Sequence, residues 1–119
     1  MEISVGSIYE LSKIVDRREM KYGFCVSVSE NYFFLFNSEN RTHYDNLPIY
    51  KKGRNFPVKD CFLGCGHLFS PSSEQVGDKV GKLEIREIRE IIEKVKVSAL
   101  LTPIQIEQVT KSLEAFANG

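Results

Sequence analysis

Arginine and lysine crowd two stretches of this chain, and these are the residues best suited to chemistry on an anionic substrate. Arg17, Arg18 and Lys21 fall in the first. Arg41, Lys51, Lys52, Arg54 and Lys59 fall in the second, where Asp45 is the sole acidic residue between Arg41 and Lys59. Tyr44, Tyr50 and Phe56 are interleaved with the second group. A basic strip with aromatic rings suits single-stranded nucleic acid, because cations track phosphates while rings stack on bases. Composition alone favours the plainer reading, an ordinary solvated rim.

Metal and thiol chemistry are less well served. The nearest ligand pattern is Cys61-x3-Cys65-x-His67, with Cys25 as a fourth donor. Zinc needs four convergent donors, usually delivered by regular Cys-x2-Cys knuckles. This irregular spacing, with Gly64 between the cysteines, predicts free thiols and no metal. Cys65 and His67 would share a strand face, but no acidic residue stands ready to orient the imidazole, and no nucleophile signature surrounds them. Gly64 and Gly66 suit a bulge or tight bend. No cofactor is expected, since glycine-rich phosphate loops are absent.

The frame that must position these groups is bounded by composition. The 119 residues suit one domain (1–119), which buries roughly two-thirds of its unfolded surface. Sixteen basic and sixteen acidic residues cancel, so any polyanion site must be local. No run approaches the ~18 apolar residues of a membrane span, and the N-terminus lacks a basic-then-apolar signal pattern. Three cysteines fit a secreted disulfide framework poorly, so a cytoplasmic setting without membrane contact is expected.

The fold class expected is α+β, strand-rich over 1–69 and helical over 70–119. Ile8–Leu11 opens the strands. Tyr22, Phe24, Val26 and Val28 alternate along a second, and Tyr32–Phe36 is a continuous apolar run buried on both faces. Ser29-Glu30-Asn31 joins them as a turn. A weaker strand follows from Thr42 to Tyr50, placed at an edge by Pro48, and a last one from Asp60 to Phe69. Ser70–Glu74 reads as a capped helical turn. Ile85, Ile88, Ile92, Val95 and Ala99 mark a helix over 83–100. Arg86 with Glu90, Arg89 with Glu93 and Glu90 with Lys94 pair on its far side. Thr102-Pro103-Ile104-Gln105 is a capping box with proline at N1. It opens a second helix whose stripe is Ile106, Val109, Leu113 and Phe116.

The order of these features resembles the MazF/PemK-type toxins. The resemblance rests on Gly6-Ser7-Ile8-Tyr9, the Arg17-Arg18 loop, Phe24-Cys25-Val26-Ser27-Val28 and Arg41-Thr42-His43-Tyr44. Lys59-Asp60-Cys61 and Val80-Gly81-Lys82-Leu83 before an amphipathic helix complete it. The resemblance implies a small SH3-like coiled β-barrel followed by C-terminal helices. It implies a metal-independent endoribonuclease of a bacterial toxin–antitoxin pair, a homodimer acting on single-stranded RNA and neutralised by a cognate antitoxin. Arg17 or Arg18 inherits the family's catalytic arginine and Thr42 its threonine. Lys21, Arg41, His43, Lys52 and Arg54 become the RNA-binding set.

Elementary chemistry is compatible with that transfer. Metal-free cleavage can use the substrate's own 2′-hydroxyl, with a proton acceptor, a proton donor and cations beside the phosphorane. Arginine offers a planar fork to phosphate oxygens, and a histidine such as His43 can act as the general base near neutral pH. Two departures stand out. Glu19, not proline, follows Arg17-Arg18, and the helix over 103–117 extends beyond the family's usual end. Both suit the alternative of a non-catalytic barrel module that holds a protein or nucleic-acid partner.

Overall fold

Residues 2–12, 21–40 and 44–119 are described by the computed structural model. Six strands and two helices follow in chain order: β1 (Ser7–Leu11), β2 (Lys21–Ser27), β3 (Tyr32–Asn37), β4 (Asn46–Ile49), β5 (Cys61–Gly64), β6 (Val76–Lys82), α1 (Ile85–Lys96) and α2 (Pro103–Asn118). The strands form one antiparallel sheet in the order β4-β5-β3-β2-β1-β6. The α+β expectation therefore holds, while β4 and β6 are the edges of a sheet that does not close into a barrel.

Alternation builds the centre of this sheet. Phe24 and Val26 of β2 join Phe34 and Phe36 of β3 in the main core, while Cys25 and Phe33 turn to the opposite face. There they pack with Tyr9 and Leu11, backed by Ile3, Val5, Leu35, Phe69 and Val76. Both faces are thus buried, as the unbroken apolar run of β3 requires. The β2–β3 turn is made by Asn31, in the left-handed region at φ 56°, whose N–H donates to the Val28 carbonyl (3.1 Å). Val28 itself is exposed at that turn, not on the buried face.

The division at residue 69 needs correction. Val76–Lys82, read as part of a helical region, is strand β6, paired with β1 through Ser7–Lys82, Ile8–Gly81, Tyr9–Lys79 and Leu11–Val76. Its two glycines and scattered charges hide it locally, and pairing with the buried β1 decides its state. Ser70–Glu74 is not a helical turn. It leads into a tight turn in which the Gln75 N–H donates to the Ser72 carbonyl (3.0 Å). The strand expected over 60–69 stops at Gly64. Cys65 and Gly66 N–H groups donate instead to the Asp45 and Tyr44 carbonyls (3.1 and 3.0 Å), and Phe69 makes a lone bridge to Phe33.

Helix α1 begins at Ile85 because Glu84 and Glu87 close a capping box. Ile88, Ile91, Ile92 and Val95 form its buried stripe, whereas Ile85 is 44% exposed. The three i,i+4 charge pairs are replaced by Arg86–Glu84, Lys96–Glu93 and Lys96–Glu114 contacts of 3.6–3.8 Å. The last of these ties α1 to α2.

Helix α2 begins as its sequence dictates. The Gln105 N–H donates to Thr102 Oγ1 (3.1 Å), the Thr102 N–H donates to Gln105 Oε1 (3.0 Å), and Pro103 occupies N1. Val109 and Leu113 are fully buried against α1 and β2, and Ile106 is partly so. Phe116, half-exposed, lays its ring over Gly6. A Cβ there would fall 2.5 Å from Phe116 Cζ, and φ +86° disfavours a side chain independently.

Candidate nucleic-acid interface

Two connections lie at one end of the sheet. Strand β2 begins at Lys21 and β3 ends at Asn37; with Gly23 opposite Leu35, both termini lie at the same end of that ladder. Asn37 also faces Phe62, next to the start of β5, so the Tyr50–Asp60 connection between β4 and β5 emerges there too. Phe56 fastens this connection across the sheet end. Its ring lies 4.7 Å from Tyr22 and 5.2 Å from Phe36, centroid to centroid.

Arg17, Arg18, Arg41, Thr42 and His43 lie outside the described residues. Lys21, Lys52 and Arg54 lie within them, at the end of the sheet just defined. Lys21 opens β2 opposite Leu11. Lys52 sits in the left-handed region at φ 48°, with Nζ 5.9 Å from the centroid of the Tyr50 ring.

Arg54 has a different setting from the one expected of an RNA contact. Its Nη1 donates to Glu87 Oε1 (2.7 Å) and its Nη2 to Glu87 Oε2 (2.6 Å), a bidentate fork. Nε and Nη2 also donate to the Tyr50 carbonyl (3.0 and 2.6 Å). Glu84 adds a longer contact at 3.9 Å. The Arg54 side chain is 18% exposed and that of Glu87 only 6%. Burial would raise the Glu87 carboxyl, but the hydrogen bond from Arg54 and the Glu84 N–H outweigh it and hold the group below its ordinary range. The hydrogen bond to Glu87 raises Arg54 in turn. This guanidinium spends its donors on tying the basic connection to the start of α1.

The rest of the connection is similarly bound. The Lys51 N–H donates to Asp60 Oδ1 (2.9 Å), Lys51 Nζ to the Arg54 carbonyl (2.9 Å), and the Arg54 N–H to the Lys51 carbonyl (3.0 Å). Between it and β6 runs a groove of about 330 Å³, lined by Arg54, Asn55, Phe56, Val80, Lys82 and Glu84 among others. Lys82, which lines this groove, is a cation that sequence reasoning left out of the binding set. Glu87 was missed as well, although the Glu84-x-x-Glu87 spacing at a helix start was the signal for it.

The aromatic residues sort into different roles. Phe56 is packing, and Tyr44 stacks on His67 at 4.5 Å, beyond the far end of β5. Tyr50 is half-exposed beside Lys52. The cysteines are dispersed as well. Cys25 is buried in the smaller cluster and Cys65 in the main core, on opposite faces of the sheet, with Cys61 partly buried. Among the described residues, no three metal-ligating side chains converge.

Burial pushes the thiols of Cys25 and Cys61 up to about 11 and that of Cys65 to about 12. Because the thiolate is the reactive form, a disulfide reagent at pH 8 should label the native protein slowly, and all three thiols should react at once in guanidinium. Rapid labelling of Cys65 in the native state would contradict this burial.

Among the cations of the Tyr50–Asp60 loop, Arg54 and Lys51 are bound within the protein, while the Lys52 ammonium lies over the half-exposed Tyr50 ring. Compared with family models and with curated proteins, the sequence matches none.

Proposed function

We propose that this chain is a MazF/PemK-like protein that binds single-stranded RNA and cleaves it without a metal ion. The observation that carries the reading is the shared exit of two connections, the one that contains Arg17 and Arg18 and the basic Tyr50–Asp60 loop, at one end of the sheet. The residues on either side of Arg41-Thr42-His43 are held at the opposite end of β5, Asn40 by Asn46 and Tyr44 beside His67, so the family resemblance alone assigns Thr42 its part. An SH3-like arrangement of strands, left open between β4 and β6, is likewise our reading. Its support is β3, which pairs with β2 through its first residues and with β5 through its last, as one strand shared between the two halves of that arrangement.

In this mechanism the 2′-hydroxyl oxygen bonds to phosphorus as its proton passes to a base, the role of His43. The bond to the 5′-oxygen breaks, and that oxygen takes a proton as it leaves. Arg17 or Arg18 stabilises the charge on the phosphorane, Thr42 aligns the phosphate, and Lys21, Arg41 and Lys52 guide the strand. A cognate antitoxin would neutralise the activity, and the protein would act as a cytoplasmic homodimer.

Purified protein should cut unstructured RNA in the presence of EDTA, leaving 2′,3′-cyclic phosphate ends, and its expression should arrest growth. Intact RNA across varied sequences, without arrest, would favour a non-catalytic binding module instead. One observation already favours that second reading. Arg54, expected at the RNA, is committed to Glu87 and the Tyr50 carbonyl, so part of the basic strip serves the fold.

A further inference from the structure

We infer that Tyr50 is the base-stacking platform of the RNA path, and that Lys52 supplies the adjacent phosphate contact. The inference rests on the single-stranded RNA reading above and goes beyond it by naming the residue that would touch bases.

The three aromatic residues interleaved with the basic stretch are not equivalent. Phe56 is engaged by Tyr22 and Phe36, and Tyr44 by His67. Tyr50 presents half of its surface to solvent while its own backbone is held in place. Two donors of Arg54 fix its carbonyl, and the same guanidinium is forked onto Glu87 of α1. The next residue is fixed too, since the Lys51 N–H is bound by Asp60 and its Nζ by the Arg54 carbonyl. The ring therefore projects from a loop ordered before any ligand arrives, so binding costs little further order. Lys52 follows in the left-handed region and brings its ammonium to within 5.9 Å of the ring centroid. The ammonium thus covers one face of the half-exposed ring and leaves the other to a base. A stacking face and a phosphate-binding cation therefore meet at one residue pair, as single-stranded nucleic acid requires. A duplex, whose bases are already stacked, has no use for the ring.

The test is equilibrium binding of a labelled, unstructured oligoribonucleotide with 2′-O-methyl groups, which cannot be cleaved. It is measured at several salt concentrations, with melting temperature followed in parallel. Tyr50→Ala should weaken binding by about 5- to 150-fold, the range of one lost base–aromatic stack. It should leave the salt dependence unchanged, because no charge is removed. Tyr50→Phe should bind as the parent does. Lys52→Gln should flatten the slope of log affinity against log salt by about 0.7, the value of one phosphate contact on a single strand. If the parent binds RNA and Tyr50→Ala binds equally well, this inference is overturned and the RNA reading survives. If the parent shows no salt-dependent binding to RNA at all, both are overturned.

Discussion

Arg54→Ala should destabilise the protein by about 3–5 kcal/mol at neutral pH, the usual cost of leaving one partner of a buried ion pair alone. The size follows from what remains behind. Glu87, 6% exposed, would keep a carboxylate with the Glu84 N–H as its surviving partner. The Tyr50 carbonyl would lose both of its guanidinium donors. Such a loss is a large fraction of the ~5–15 kcal/mol that separates folded from unfolded domains.

Acid should probe the same contact. Glu87 is held below its ordinary range in the folded protein. Its contribution is therefore fully present above the unfolded carboxyl value of about 4.3 and is lost as pH falls through the lower, folded value. Glu87→Gln should be less stable than the parent at pH 7, and the two should converge as the solution is acidified. Denaturant titrations at a series of pH values would measure this. A constant gap across the range would mean that the Glu87 charge contributes nothing.

Leu113→Ala is the second large effect, expected at about 2–5 kcal/mol for a fully buried leucine whose neighbours relax only partly. Leu113 and Val109 have no exposed surface and lie between α1 and β2. A chain truncated after Leu101 should therefore melt at a markedly lower temperature. Thr102→Ala, which removes only the cap, should cost about 0.5–2 kcal/mol and serves as the mild control. Should the truncated chain melt unchanged and lose only a binding partner, α2 would be an interface and not part of the core.

Features decided within a few residues of chain were legible in the sequence. The α2 capping box and its proline, the Asn31 turn and the alternation along β2 from Tyr22 to Val26 all appear where their local chemistry places them. Features decided across the chain were not. Val76–Lys82 carries no period of its own, and its strand state comes from β1, some seventy residues earlier in the chain. Arg54 looked like a free cation because its partner, Glu87, is separated from it by a loop, β5 and β6. Phe56 looked like a stacking ring because nothing nearby announces Tyr22 and Phe36. The start of α1 was placed too early because glutamate is an uncommon cap, although Glu84 and Glu87 satisfy each other's backbone there. The arginine and threonine positions that the resemblance selects lie outside the described residues.

The open sheet also bears on how the protein behaves at high concentration. An exposed strand edge is a template for another strand, and an unguarded pair of edges invites polymerisation. Among the described residues both edges are guarded by different means. β4 is four residues long and carries Pro48, which has no N–H to offer a neighbour. β6 is longer, but its register against β1 shifts twice and it bears Asp78, Lys79 and Lys82 along its length. Irregular spacing and charge both oppose the flat alignment that cross-β stacking needs. The two glycines and three charges that concealed β6 from sequence reading are thus the residues that keep this edge from seeding aggregates.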